Sequence, residues 1–137
     1  MVIAKVETTA IWSNTLTEVG ADSYTDGQYN TNRMIDSPAK DYVTGLREGG
    51  YDDWYLPSVM ELRLLQQNII SINTILEICG VTIISMNDDI HYWSSTENKV
   101  NPHISEAIRF HLFDRISQEK NIYAKKLRAI RKFEIDL

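Results

Sequence analysis

The chain has 137 residues, of which 43% are hydrophobic and 24% are charged, and its formal net charge is −5. A chain of this size builds one core, so we predict a single domain over residues 1–137. The acidic balance argues against nucleic-acid binding, which needs a basic face. No apolar run reaches the ~18 residues that span a membrane, so we expect no membrane insertion. The N-terminal segment is too short and carries its first charge too early to resemble a signal peptide.

Cys79 is the single cysteine of the chain, so no disulfide can form within it. Stability must then come from packing rather than from covalent cross-links. Because its neighbours in the sequence are mostly apolar, we predict that Cys79 is a small buried side chain. No basic residue lies close to it in the sequence, which argues against a catalytic thiol.

The N-terminal part of the chain predicts a strand followed by a long polar loop. Residues 2–6 are mainly β-branched and apolar, which is typical of a strand. Residues 13–32 are rich in Ser, Thr, Asn, Asp and Gly, and Asp-Gly at 26–27 is a turn signal. We therefore predict a loop over 13–32 that carries the aromatic residues Tyr24 and Tyr29.

Two helices have clear start signals in the sequence. Ser37 can cap a helix that has Pro38 at its first position, and the glycine pair 49–50 can end it. Ser58 and Glu61 have the spacing of a capping box at the start of the second helix. The predicted apolar faces comprise Ala39, Tyr42, Val43 and Leu46 in the first helix, and Leu62, Leu65, Ile69 and Ile72 in the second. A short third helical piece is predicted over 73–79.

From residue 81 onward the pattern changes to strands. The predicted strands cover 82–84, 91–94, 106–113 and 123–133. In the third of these, Ile108 and Phe110 alternate with Arg109 and His111. Residues 114–121 are predicted to join the last two strands as a hairpin loop. Helices followed by a mainly antiparallel sheet predict an α+β fold.

Three segments of the chain match the signatures of one family. Segment 50–62 reads GYDDWYLPSVMEL and resembles the pattern G-Y-x-D-W-x-L-P-[ST]-x-x-E-L. Segment 92–97, YWSSTE, matches a second signature, and segment 127–133, LRAIRKF, is similar to a closing V-R-x-[VI]-R-x-F. Residues upstream resemble the same family's tryptophan-serine and D-G-x-x-N-T elements. Over about residues 2–133 the chain thus resembles the domain of unknown function 1566 family, also called the Legionella collagen-like protein C-terminal domain family.

The resemblance implies a C-type-lectin-like fold, with two main helices packed on a mainly antiparallel twisted sheet. Members are found on bacterial surfaces and in phage particles, usually in binding or adhesion roles. Two departures from the family matter. The family's first strand is missing here, and a neighbouring subunit can supply such an edge. The stretch 98–104 lacks the aromatic residue that many members carry, so a relative's ligand is not transferred.

The tryptophans of the signatures have a structural and a functional interpretation. Aromatic faces suit sugar rings, but Trp54 and Trp93 lie within framework segments, and we predict that they fill the core. We predict that Asp53 bonds backbone amides at the turn into the second helix. The framework residues that the resemblance implies are Trp12, Trp54, Leu56, Pro57, Glu61, Trp93, Ser94 and Arg131.

No pattern in the sequence favours catalysis, a metal or a cofactor. His91, His103 and His111 lack zinc-site spacing. Calcium needs several convergent carboxylates, whereas the acidic pairs 52–53 and 88–89 are adjacent in sequence and often point apart. No Ser/His/Asp order or separated carboxylate pair stands out. The related formylglycine-generating enzymes use paired cysteines, which this chain lacks. We predict a non-enzymatic protein without cofactor or metal.

The candidate ligand-binding residues lie in two loops, over 14–32 and 97–105, and on the polar side of one strand. They are Tyr24, Tyr29, Asn98, Lys99, Asn101, His103, Arg109 and His111. The C-terminal part of the chain is basic and has two interpretations: a charged sheet face, or a patch that attracts an anionic glycan. The candidate basic patch comprises Lys125, Lys126, Arg128 and Lys132.

These observations lead to three hypotheses of function. The first is a ligand-binding or structural module of a phage virion that acts in receptor binding, as a fibre or as decoration. It would contact a glycan or another virion protein, and we expect a homo-oligomer among the protein subunits of a larger assembly. The second is a bacterial cell-surface adhesin domain that binds an anionic glycan, which would be extracellular. The third is an oxidase related to the formylglycine-generating enzymes.

Overall fold

The computed structural model describes residues 1–111 and 114–133. The helices are α1 (Gly27–Arg33), α2 (Pro38–Gly45), α3 (Val59–Gln67) and α4 (Ile69–Ile78), with a 3₁₀ turn at Glu48–Gly50. The strands are β1 (Val2–Ile3), β2 (Thr8–Ala10), β3 (Tyr92–Glu97), β4 (Ile104–Arg109), β5 (Asp114–Glu119), β6 (Lys125–Leu127) and β7 (Ile130–Arg131).

Five strands form one curled mixed sheet in the order β2-β6-β3-β4-β5. Its pairs are antiparallel except for β3 and β6, which are parallel. The strands β1 and β7 pair separately, and a single bridge from Tyr55 to Ile130 lies beside them. The prediction of an α+β fold with a mainly antiparallel sheet is confirmed, with four helices where two main ones were expected.

The predicted helix starts are confirmed by their caps. The Ser37 hydroxyl accepts a hydrogen bond from the Lys40 amide at 2.9 Å, and Pro38 is the first residue of α2. At α3, the Ser58 hydroxyl accepts from the Glu61 amide at 3.3 Å, while the Glu61 carboxylate accepts from the Ser58 amide at 3.1 Å. These reciprocal bonds satisfy amides that the helix itself leaves free.

The predicted helix ends are less accurate. The first helix was predicted to reach the glycine pair 49–50 but ends at Gly45, and both later glycines have positive φ in the following turn. The second predicted helix is broken at Asn68, so α4 begins at Ile69 rather than at residue 73. The polar loop predicted over 13–32 contains helix α1, because Asp26 caps it by accepting from the Tyr29 amide at 3.0 Å.

Two of the strand predictions are wrong. Residues 114–119 were predicted as a loop but form β5, which pairs with β4 over six residues. Residues 82–84 form no strand, because the Asn73 side chain binds both the amide and the carbonyl of Ile84 at 2.9 Å. The strand predicted over 123–133 is divided into β6 and β7. The strand predicted over 106–113 runs over 104–109, and residues 112–113 lie outside the described residues.

Three buried tryptophans anchor the core, as predicted for Trp54 and Trp93. Each indole N–H finds a backbone acceptor: Trp12 donates to Ser94 at 2.9 Å, and Trp93 donates to Ala10 at 3.1 Å. A buried indole needs such a partner because an unpaired donor costs free energy. By contrast, the prediction of a buried Cys79 is wrong: it caps the C-terminal end of α4 at the surface and is exposed.

Candidate functional site

A buried ion pair fixes the end of the sheet on which the candidate loops meet. Glu97, the last residue of β3, and Lys120, which follows β5, are 2% and 0% exposed. The Lys120 ammonium lies 2.5 Å from a Glu97 carboxylate oxygen and donates to the Thr17 carbonyl at 3.1 Å. Glu97 also accepts from the amides of Val19 and Gly20, at 3.0 and 3.2 Å. The pair therefore holds segment 17–20 against the end of the sheet.

The surroundings of Lys120 show how its charge is accommodated. Burial lowers the pKa of Lys120, and its hydrogen bond and Coulomb attraction to Glu97 oppose that shift. The ammonium also lies 4.5 Å from the centre of the Trp12 ring, whose π face attracts a cation. Because these partners are all internal, we interpret the pair as a structural clamp.

A second set of hydrogen bonds positions the segment that carries Tyr24. The Asn30 side chain accepts from the Ser23 amide at 2.9 Å and donates to the Ser23 carbonyl at 2.6 Å. The Thr96 hydroxyl also donates to that carbonyl, at 3.0 Å, and accepts from the Val59 amide at 3.1 Å. Helix α1, helix α3 and strand β3 thus all hold this segment in place.

Tyr24 lies at the point where the two candidate loops meet. The Lys99 ammonium is 5.1 Å from the centre of the Tyr24 ring, and the Arg115 guanidinium is 5.6 Å from it. Lys99 belongs to the loop between β3 and β4, and Arg115 to β5. The structure therefore brings together one aromatic ring and two cations from three separate segments.

A mostly buried carboxylate lies beside this group. Glu106 accepts from the Asn98 side-chain amide and from the Ser117 hydroxyl, each at 2.9 Å, and lies 3.7 Å from the Arg115 guanidinium. We call the set formed by Tyr24, Asn98, Lys99, Glu106, Arg115 and Ser117 the Tyr24 surface. It offers a ring, two cations and several hydrogen-bonding groups, which suits a hydroxyl-rich or anionic ligand better than an apolar one.

The remaining loop candidates shape the surface or lie outside the set. Asn98 accepts from the amides of Val100 and Asn101, and Asn101 accepts from the His103 amide at 3.1 Å. The two asparagines therefore stabilise the turn over 98–103. Tyr29 lies in α1, where the Arg33 guanidinium is 4.4 Å from its ring.

The two candidates on the strand are held by carboxylates. Arg109 forms an ion pair with Asp114 across the β4–β5 pair, and His111 lies 2.6 Å from Asp88. The hydrogen bond from His111 lowers the pKa of the Asp88 carboxyl below its usual range. Both side chains are thus already engaged within the protein.

The candidate basic patch is not a continuous exposed surface, so that prediction is wrong. Arg128 is buried, with its guanidinium 2.8 Å from Glu7 and 2.6 Å from the Ala4 carbonyl. Lys126 also binds Glu7, at 2.8 Å, and Lys125 is half-buried. Only Lys132 among the four is more than half exposed. A buried guanidinium needs a carboxylate partner, and Glu7 supplies it.

The framework residues have the buried positions that the signatures led us to expect, with one correction. Asp53 does not act as a turn cap; its two carboxylate oxygens accept from Arg131 at 2.7 and 3.1 Å. This bidentate hydrogen bond lowers the pKa of Asp53. Leu56, Pro57 and Ser94 are buried, and Glu61 accepts from the Gly27 amide and the Tyr55 hydroxyl at 2.7 and 2.6 Å.

The sequence interpretation missed Glu106, Arg115 and Ser117 as members of the surface. The loop predicted over 114–121 concealed them, although Ile116 and its polar neighbours alternate as a half-buried strand does. Glu97 and Lys120 were also missed, since no local pattern reveals a pair 23 residues apart.

Comparison of the chain with protein-family models, with curated proteins and with solved structures finds no match. In residues 1–111 and 114–133, no three His, Cys, Asp or Glu side chains are grouped so as to hold a metal ion. No helix in this part of the chain is both long and apolar enough to cross a membrane.

Proposed function

We propose that the protein is a non-enzymatic, C-type-lectin-like module that binds a glycan through the Tyr24 surface and is displayed on a larger assembly such as a phage virion. The observation that carries this proposal is the meeting of Tyr24 and Lys99, from the two loops that the sequence marks for ligand contact. The loops rest on a rigid support, and binding sites are typically built on loops that a scaffold positions.

Contacts between the three signature segments support the lectin-like fold. The backbone of Tyr55 in the first segment pairs with Ile130 in the third, and the Pro57 carbonyl accepts from the Ser95 amide of the second at 2.8 Å. Arg131 of the closing segment binds Asp53 of the first. Residues that the resemblance groups in sequence therefore pack against one another.

The arrangement of charged groups supports binding rather than catalysis. The carboxylates of Glu7, Asp53 and Glu97 are each bound by a lysine or an arginine. A general base instead needs an oxygen that is free to receive a proton from a substrate. The Tyr24 surface, in contrast, has two cations and a phenol that remain partly exposed, which suits recognition of a polar ligand.

Substitution of the Tyr24 surface should abolish glycan binding. Tyr24→Ala and Lys99→Ala should each weaken the affinity about tenfold, the size expected for losing one charged hydrogen bond or one stacked ring. The measurement is binding of the purified chain to an array of bacterial envelope glycans, followed by titration of the strongest binder.

Matched controls separate the surface from a general loss of fold. Tyr51→Ala and Lys5→Met replace exposed residues of the same types outside the Tyr24 surface, and both should bind as the unaltered chain does. An unaltered chain that binds no glycan on the array, or a Tyr24→Ala variant with unchanged affinity, would overturn the proposal.

Helix α4 supports the homo-oligomeric part of the proposal. Its side chains Ile70, Ile75 and Ile78 are 70%, 60% and 79% exposed, which is unusual for a stable monomer surface. A groove of about 300 Å³ lies between α4 and β1, and in the described residues β1 has β7 as its one strand neighbour. A second copy can pair its own β1 with this edge and cover the groove, as a two-fold contact requires.

Introducing a charge on this face should therefore separate the copies. Ile75→Glu should shift the molar mass measured by light scattering to that of the monomer, because a carboxylate would be buried without a partner. Ile35→Glu, an exposed isoleucine outside α4, is the control and should leave the mass unchanged. An unaltered chain that is already monomeric at high concentration would contradict this part of the proposal.

A further inference from the structure

A small cleft lies at the edge of the five-stranded sheet opposite to β5. It has a volume of about 200 Å³ and is lined by residues of β2, of segment 89–91 and of the start of β6. Arg115 of the Tyr24 surface lies on β5, whereas Thr9 and Lys126 pair in the β2–β6 ladder. The cleft is thus a separate site, and its volume is below that of the pockets that hold drug-sized ligands.

Lys125 is the distinctive group in this cleft. Its side chain is half-buried, and its ammonium is 5.5 Å from the centre of the Trp93 ring and 5.7 Å from that of Tyr123. Within residues 1–111 and 114–133 the ammonium forms no hydrogen bond or ion pair; the two rings are its partners. A half-buried lysine without an anion is costly, and burial lowers the pKa of Lys125 accordingly.

The neighbouring charges leave the cleft short of negative charge. Lys126 binds Glu7 at 2.8 Å, but the same carboxylate also binds the buried Arg128. Asp89 also lines the cleft and is exposed. His91 faces the same space, and its pKa is lowered by burial and then by the nearby charges of Lys125 and Arg109. Three cations thus share two carboxylates, and an anion in the cleft would complete the set.

We propose that this cleft binds the carboxylate of a small hydroxylated acid of monosaccharide size, such as a uronic acid, with Lys125 as its main partner. The ammonium of Lys125 pairs with the ligand carboxylate. The Thr9 hydroxyl and the Asp89 carboxylate lie where they can bind ligand hydroxyls, and the His91 ring can donate one further hydrogen bond. Asp89 disfavours a more highly charged anion such as phosphate, which sets the class of ligand.

The experiment is a titration of the full chain with glucuronate, followed by amide chemical shifts at low ionic strength. Glucuronate should shift the amides of segment 89–91 and of β6, and glucose should not. Lys125→Met should weaken binding at least about tenfold, the loss expected for one charged hydrogen bond. Lys125→Arg keeps the charge and should retain most of the affinity.

Controls and contrary results are defined in the same titration. Lys5→Met removes one charge elsewhere and should bind glucuronate as the unaltered chain does. Equal binding of glucose, tighter binding of inorganic phosphate, unchanged affinity of Lys125→Met, or no shift at millimolar glucuronate would each overturn the proposal. Shifts confined to the Tyr24 surface would overturn it as well, whereas failure of glycan binding at that surface leaves the cleft unaffected.

Discussion

Glu97→Gln should lower the free energy of unfolding by about 3–5 kcal/mol, the range observed when one member of a buried ion pair is removed. The substitution keeps the shape of the side chain but leaves the ammonium of Lys120, which is fully buried, without its counter-charge. It also replaces a carboxylate oxygen that accepts from the amides of Val19 and Gly20. Urea unfolding followed by circular dichroism measures the change.

The double variant Glu97→Gln, Lys120→Met provides the matched control. It removes both charges, so its stability should recover part of the loss seen in Glu97→Gln alone, since replacing both members of a buried pair is often tolerated. Asp88→Asn removes a carboxylate from an exposed pair with His111 and should have little effect. If Glu97→Gln were as stable as the unaltered chain, the pair would not be the clamp that holds segment 17–20.

Gly27→Ala should destabilise the protein by about 2–3 kcal/mol, at the upper end of the range for overpacked cores. A Cβ at position 27 would lie 2.5 Å from the Leu56 carbonyl oxygen and 2.7 Å from the Ser58 amide nitrogen. Both are backbone atoms of the segment that leads into α3, so neither can move as a flexible side chain does. The close approach of α1 to this segment therefore requires glycine.

Gly45→Ala is the control for this prediction, because nothing lies within 4 Å of a Cβ at position 45. Alanine favours helices over glycine by about 0.5–1 kcal/mol, so this variant should be at least as stable as the unaltered chain. Equal stability of the two variants by urea unfolding would show that α1 and the Leu56–Ser58 backbone are farther apart than described.

Local sequence signals predicted the parts of the fold that local bonds determine. Ser37 and Ser58 bind amides three residues away, so their helix starts could be read directly from the spacing. The break at Asn68 and the start of α1 carry no comparably strong signal. Asp26 followed by glycine fits a turn and a helix cap equally well, and contact of α1 with β3 decides between them.

The roles of charged residues depend on partners that are distant in sequence. Arg128 looked like one member of a basic surface, yet Glu7, which lies 121 residues away, keeps it buried. Asp53 looked like a turn cap, but Arg131 lies on the neighbouring strand and binds it. Such pairings follow from topology, which residue patterns along one chain do not specify. The loops over 14–32 and 97–105 were proposed as ligand contacts from the resemblance, and within them the Tyr24–Lys99 contact agrees with that interpretation.

The central claim is that the protein recognises a glycan at the surface formed by Tyr24, Lys99 and Arg115. The most direct test is to titrate the ¹⁵N-labelled chain with the glycan that binds most strongly on an envelope-glycan array and to map the amide shifts. We predict the largest shifts in segment 22–25, in the loop over 98–103 and around Arg115, and their loss in Tyr24→Ala. An array without binders, or shifts that cluster away from these segments, would contradict the claim.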